Sequence, residues 1–172
     1  MKFERYLTLF NIILVIGLFL SVFLVYEHFV ATPSEYCNFG ESFDCGIVNK
    51  SPYANIDGIF YLLVIDFGWP LPLVDISGLG GIFDILTSVA FLGFLSLLFV
   101  LLLNNRNINE DFLFVSKDKK DKWIKIILVF GVLFGGYLFL IQHFMLKTYC
   151  IFCIGLDAVL VSLTVIALMN KR

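Results

Sequence analysis

Four continuous apolar segments dominate this 172-residue sequence, in which 60% of the residues are hydrophobic. A membrane-spanning helix needs roughly 17–25 consecutive apolar residues, and each of the four segments reaches that length. They cover about residues 6–29, 82–103, 123–146 and 149–169. The sequence therefore predicts an all-α integral membrane protein, a four-transmembrane-helix bundle in which residues 1–172 form a single domain.

Lysine and arginine residues are distributed unevenly over the connections between these segments. Of the twelve, nine lie at the two termini or between the second and third segments, Lys125 lies just inside the third segment, and only Lys50 and Lys147 lie elsewhere. Because positively charged short loops stay in the cytoplasm, we predict a multi-pass protein with both termini cytoplasmic. The first apolar segment exceeds the roughly 7–15 residues of a signal-peptide core, so it is expected to remain as an anchor. No basic face suits nucleic acid.

With this topology, residues from about 31 to 81 form one long exterior cap. Its first half is rich in turn-forming residues. Residues 58–67, GIFYLLVIDF, are apolar but too short to span a membrane, and segments of that length are often interfacial. We therefore predict an extracytoplasmic cap that contains a short interfacial helix. His28, at the end of the first segment, is expected to contact lipid headgroups.

All four cysteines lie on the predicted exterior side, where disulfides form and persist. Cys37 and Cys45 belong to the cap, whereas Cys150 and Cys153 form a C-x-x-C motif at the start of the last segment. The first turn of a helix stabilises negative sulfur, which favours Cys150 as a reactive thiol. Helical residues three apart have Cβ atoms roughly 5–6 Å apart, whereas a relaxed disulfide needs roughly 3.5–4.5 Å. A bridge between these two cysteines is therefore expected to be easily reduced.

The depths of the two cysteine pairs suggest a direction of electron flow. Cys37 and Cys45 face water, whereas Cys153 lies one turn inside an apolar helix, where a hydrophobic two-electron acceptor such as a quinone can reach it. Two other interpretations stay open at this point. Both pairs are structural disulfides in a non-enzymatic membrane protein, or all four cysteines bind zinc. Because Cys153 is expected to point into hydrocarbon, we predict no metal.

The order of the motifs adds a resemblance to a known family. The stretch CNFGESFDCGIVNKSPYA, with its C-x7-C pair and with Ser51 six residues after Cys45, precedes the C-x-x-C motif at the last span. This arrangement resembles the vitamin K epoxide reductase family, including its prokaryotic disulfide-forming members, over most of the chain. The other family of bacterial quinone-dependent disulfide oxidases has the opposite order, with C-x-x-C first.

The resemblance implies a thiol:quinone oxidoreductase that supports disulfide bond formation. Cys37 would exchange with a separate thioredoxin-fold protein on the exterior side, Cys45 would attack Cys150, and Cys153 would lie against the quinone ring. The quinone, ubiquinone-like, menaquinone-like or vitamin K, would be a substrate. The SPYA run resembles that of prokaryotic members and favours a prokaryotic cell membrane; in a eukaryote the location would be the endoplasmic reticulum.

Three further residues are assigned to quinone binding. Ser51 and Tyr53 match the family's SPYA region, although Ser51 also suits a simple turn. Asp157 stands where vertebrate members carry a tyrosine, and residues 78–83, GLGGIF, lack those members' asparagine. These departures favour an ordinary quinone over vitamin K epoxide, whose reduction is the alternative. An ionisable residue in a spanning helix usually faces the bundle interior, so Asp157 either acts on the quinone or pairs with Gln142 or His143.

Overall fold

A computed structural model describes residues 2–30, 37–38, 40, 42–73, 80–104 and 119–169, excepting the side chains of residues 2–6. Part of the predicted cap lies outside these residues, namely 31–36, 39, 41 and 74–79. The first two residues of the GLGGIF stretch are among them. Four of the basic residues used to predict the orientation also lie outside: Arg106, Lys117, Lys171 and Arg172.

The described residues form helices and turns in a simple chain order. The α-helices are α1 (Lys2–Phe29), α2 (Cys45–Asn49), α3 (Asp57–Tyr61), α4 (Ile82–Thr87), α5 (Val89–Asn104), α6 (Lys120–Ile141) and α7 (Ile151–Met169). A 3₁₀ turn, Pro52–Ala54, lies between α2 and α3. Two of the helices continue into a π-helical turn, α3 into Leu62–Asp66 and α6 into Gln142–Leu146.

The long helices α1, α5, α6 and α7 pack around a common apolar core. Helix α1 contacts α5 and α7, and α6 contacts α5 and α7. Leu14, Val100, Leu128 and Leu163, one from each helix, are fully buried where the helices meet. The outward faces are also apolar, and Phe19 is 74% exposed. An apolar outer surface of this kind suits lipid rather than water, so the chain is an all-helical integral membrane protein.

Within the described part of the chain, three helical segments are long and apolar enough to cross a membrane, Leu7–Phe29, Lys120–Leu146 and Ile151–Met169. They correspond to the first, third and fourth predicted spans. The expectation of one continuous helix over residues 82–103 is wrong, because the chain breaks at Ser88 between α4 and α5. Helix α5 has 16 residues, about 24 Å at 1.5 Å per residue, against a hydrocarbon core of about 30 Å. The count of four spans stays a prediction.

Ser88 ends one helix and begins the next. Its backbone is extended, with φ −66° and ψ 131°, and its hydroxyl oxygen accepts the N–H of Phe91 at 3.2 Å, as a helix N-cap does. The cap segment pairs with the break, since Asn55 forms an isolated β-bridge with Ser88 and the N–H of Ile56 donates to Thr87 O at 2.9 Å. The break therefore fastens the cap to the start of α5.

The short helical segments of the exterior cap pack closely against one another. Asp44 caps α2, and its Oδ1 accepts the N–H of Ile47 at 3.0 Å. A Cβ atom at Gly58 in α3 would overlap the backbone of Tyr53, so only glycine permits this approach of α3 to the 3₁₀ turn. Residues 57–66 are helical where the sequence predicted a cap helix. Their location at the membrane surface stays a prediction.

Candidate functional site

Backbone pairing joins the cap to the start of the last helix. Phe43 and Tyr149 form a parallel β-bridge, in which the N–H of Asp44 donates to Tyr149 O at 3.1 Å and the N–H of Tyr149 donates to Ser42 O at 3.0 Å. Cys45 in the cap and Cys150 before α7 each lie just after the paired residues. The pairing therefore brings these two cysteines close together.

Three sulfur atoms meet at this junction. Cys37 and Cys45 form a disulfide with a Cα–Cα distance of 5.5 Å, and Cys150 and Cys153 are free thiols. The Sγ atoms of Cys37, Cys45 and Cys150 all lie within 4.8 Å of one another, and all three residues are buried. The Cys150 thiol therefore lies beside the cap disulfide, as thiol–disulfide exchange between the two pairs requires. The expectation that Cys37 and Cys45 face water is wrong, because the cap packs against the start of α7 and leaves them 1% and 0% exposed.

Cys150 lies one residue before the first turn of α7, not within that turn as the sequence suggested. Its carbonyl oxygen accepts the N–H of Ile154 at 3.0 Å, and its Sγ accepts the N–H of Cys153 at 3.2 Å. The sulfur itself thus serves as the N-cap of the helix. The N–H of Cys150 donates to Oε1 of Gln142 at 2.8 Å, which ties this cysteine to the end of α6.

The sulfur cluster also bears on the zinc alternative. The Sγ atoms of Cys37, Cys45 and Cys150 lie close enough together to ligate one metal ion. Zinc is bound by free thiolates, however, and two of these sulfurs are joined to each other. The arrangement therefore favours redox exchange over metal binding.

A cavity of about 90 Å³ lies between the cap and the helix bundle. Cys153 lines it, and so do all three residues assigned to quinone binding, Ser51, Tyr53 and Asp157. Most of the remaining wall is formed by apolar side chains of α1, α5, α6 and α7. A mainly apolar cavity with a few polar groups is typical of a small-molecule binding site, and here one of those polar groups is a thiol.

The two hydroxyl groups in the cavity wall already donate to protein acceptors. Ser51 Oγ donates to the carbonyl oxygen of Val48 at 2.8 Å, and Tyr53 Oη donates to Asp66 Oδ2 at 2.5 Å. Burial, together with this hydrogen bond to a carboxylate, raises the pKa of Tyr53. Both hydroxyls are therefore neutral groups whose hydrogens are already engaged.

Asp157 packs against the backbone of the neighbouring helix at Gly135, where a Cβ atom would overlap its carboxylate. The two residues considered as its alternative partners make other contacts. His143 is exposed and its Nδ1 lies 2.6 Å from Tyr149 Oη, and Gln142 Oε1 accepts the N–H of Cys150. The lack of a side chain at Gly135 therefore leaves space for the Asp157 carboxylate, and Asp157 lines the cavity.

Several residues in the cavity wall were not assigned to the site from the sequence, and His28 and Asn49 are two polar ones among them. The expectation that His28 contacts lipid headgroups is wrong, because its side chain is only 8% exposed. Its Nδ1 lies 2.6 Å from Asn49 O, and a carbonyl oxygen only accepts, so Nδ1 carries the hydrogen. Its Nε2 lies 3.9 Å from Asp84 Oδ1. The only sequence signal for Asn49 is its helical spacing of four from Cys45.

Comparison with known proteins identifies a family. Residues 8–168, nearly the whole chain, match the family model described as the vitamin K epoxide reductase family. Among curated proteins, none matches the sequence.

Proposed function

Since this chain belongs to the vitamin K epoxide reductase family, we propose that it is a membrane thiol:quinone oxidoreductase that supports disulfide bond formation. It reoxidises a separate thioredoxin-fold protein on the exterior side and passes the electrons to a quinone. One observation carries the proposal. The Cys150 thiol lies within 4.8 Å of both sulfurs of the cap disulfide, while Cys153, one helical turn further on, lines the cavity.

The first half of the reaction is exchange with the partner protein. A thiolate of the reduced partner attacks Cys37, the Cys37–Cys45 bond breaks, and Cys45 leaves as a thiolate. The second partner thiol then attacks the mixed disulfide and releases Cys37. The partner leaves with a disulfide, and the cap pair has gained two electrons and two protons.

The second half passes these electrons to the cavity. When Cys150 and Cys153 are joined in a disulfide, Cys45 attacks Cys150 and releases Cys153 as a thiolate. Cys37 then attacks Cys45, which restores the cap disulfide and frees Cys150. The Cys150–Cys153 disulfide re-forms as two electrons and two protons pass to the quinone, which becomes a hydroquinone. The oxidised cap pair and free Cys150 and Cys153 correspond to the state just before this last step.

The substrate that we propose is an ordinary ubiquinone-like or menaquinone-like quinone. Ser51, Tyr53 and Asp157 form polar parts of its binding site. The protein spans the membrane four times, with α5 as the second span, both termini in the cytoplasm and the helical segment at residues 57–66 at the exterior membrane surface. The proposed location is a prokaryotic cell membrane. The distribution of lysine and arginine supports the orientation.

Single cysteine variants test the relay in purified protein, with quinone reduction followed by absorbance. We expect Cys150→Ala and Cys153→Ala to abolish quinone reduction with every thiol donor. Cys37→Ala should lose turnover with a protein dithiol but retain it with dithiothreitol, because the small thiol takes the place of Cys37 and resolves the Cys45–Cys150 disulfide. Without dithiothreitol, a Cys45–Cys150 disulfide should accumulate in that variant, because the thiol that resolves it is absent.

Mass spectrometry after rapid alkylation detects this cross-link. Full activity of all three variants with dithiothreitol would show that the relay is wrong. Structural disulfides, the non-enzymatic alternative, predict uniformly oxidised pairs and no Cys45–Cys150 peptide.

A further inference from the structure

Asn49 brings a second polar group to the cavity from the cap side. Helix α2 begins at Cys45 and ends at Asn49, so the two residues are four positions apart and lie on the same face of the helix. Asn49 is 6% exposed and lines the cavity together with Cys153 and Asp157. One short helix therefore presents a cap cysteine to the sulfur cluster and an amide to the cavity.

The Asn49 amide nitrogen is buried and has no hydrogen-bond acceptor among the described residues. A buried amide donor without an acceptor costs free energy, and native proteins retain few such groups without a reason. The backbone of Asn49 is held in place, since its carbonyl oxygen accepts from His28 Nδ1 at 2.6 Å. Asn49 is thus held at the cavity wall.

Three other polar groups in the wall have already used their hydrogens. The hydroxyls of Ser51 and Tyr53 donate to Val48 O and to Asp66 Oδ2, and His28 Nδ1 donates to the backbone of Asn49. A quinone carbonyl oxygen accepts hydrogen bonds and donates none. Gln142 lines the cavity as well, and its amide oxygen accepts the N–H of Cys150. Among the cavity-lining side chains of the described residues, Asn49 is the one with a buried amide nitrogen that has no hydrogen-bond partner.

We infer that Asn49 Nδ2 donates a hydrogen bond to a carbonyl oxygen of the bound quinone. This inference rests on the proposed function and deepens it, because it names the group that recognises the quinone carbonyl. The hydrogen bond orients the ring in the cavity that Cys153 lines. It also favours electron transfer, because the carbonyl oxygen gains negative charge before it is protonated, and a donor binds that charged oxygen more strongly.

The test uses the purified full-length protein and menadione as the probe. Asn49→Asp removes the donor with almost no change of shape, and Asn49→Leu removes the polar group. Ile47→Leu is the matched control, since it places leucine in the same helix at a position that is 53% exposed. We expect both Asn49 variants to weaken menadione binding about tenfold, the magnitude of one hydrogen bond of about 1.4 kcal/mol. The control should bind as the wild type does.

Infrared spectroscopy provides a readout that a purely structural role would not change. Menadione labelled with ¹³C at each carbonyl in turn should show one carbonyl band at lower frequency when bound to the wild type. That shift should disappear in Asn49→Leu. The inference is overturned if the wild-type complex shows no such shift, whether or not the variants fold, or if both variants bind menadione normally.

Failure of the proposed function and failure of the inference about Asn49 give different experimental results. Wild-type protein that neither binds nor reduces menadione contradicts the proposed function itself, and the inference with it. Normal affinity in the Asn49 variants, with the cysteine variants inactive, removes only the role of Asn49.

Discussion

Gly135 lies where α6 meets Asp157, and a methyl group at this position tests the packing of the cavity wall. The added Cβ would overlap Asp157 Oδ1 and lie 3.0 Å from its Cγ. Either the carboxylate turns away or the two helices separate. Gly136, the next residue on α6, has no heavy atom within 4 Å of an added Cβ, so Gly136→Ala is a matched control.

The magnitude follows from the difference between these two substitutions. Replacing glycine by alanine improves helix propensity by about 1 kcal/mol at either position, so this contribution cancels when the two variants are compared. What remains is the cost of overpacking at Gly135, about 1–3 kcal/mol. For a chain of this size, about 1 kcal/mol shifts the melting temperature by about 2–4 °C. Gly135→Ala should therefore melt about 2–12 °C below Gly136→Ala.

Thermal unfolding in detergent measures this difference, and the KM for quinone reports on the displaced carboxylate. A second background separates the contact from a general effect on α6. Asp157→Ala leaves room for the methyl group. In this background, Gly135→Ala should lower the melting temperature no more than Gly136→Ala does. Equal melting temperatures and equal KM values for the two alanine variants in the wild-type background would refute the packing argument.

Two further predictions concern hydrogen bonds at the site. The raised pKa keeps Tyr53 protonated in the folded protein, whereas tyrosine in the unfolded chain ionises at about pH 10. Above that pH the unfolded state binds fewer protons, so the stability of the folded protein falls as pH rises. The melting temperature should therefore decline less steeply with pH in Tyr53→Phe than in the wild type, and identical slopes would contradict this. Gln142→Leu leaves the buried N–H of Cys150 without its acceptor, which should cost about 1–3 kcal/mol and slow quinone reduction. Gln142→Glu keeps an oxygen there and should be milder in both thermal unfolding and turnover assays, and equal losses would count against this hydrogen bond.

The positions of most long helices and the grouping of the cysteines into two pairs were predictable from local patterns. An apolar run long enough to cross hydrocarbon must form a helix there, because every backbone polar group needs an internal partner. Three of the four predicted spans correspond to helices of that length and composition. The spacing of the cysteines, two in the loop and two at the last span, likewise identified the two pairs that the fold brings together.

Local patterns of this kind could not predict the break in the second predicted span. The apolar run continues through Ser88, but the cap donates a hydrogen bond to Thr87 and pairs with Ser88. These partners come from about thirty residues earlier in the chain. A window of sequence shows how apolar a segment is, and it does not show which distant backbone groups will compete for its hydrogen bonds.

The sequence by itself determined that this chain is a helical membrane protein with four thiols in two pairs, because hydrophobic length and residue spacing are properties of short segments. Only the tertiary structure decided which thiols meet and what surrounds the cavity. The bridge between Phe43 and Tyr149 brings Cys150 to the cap disulfide, and the fold of the cap turns Asn49 toward the bundle. Such contacts depend on backbone pairing between distant segments, for which the local composition carries no signal.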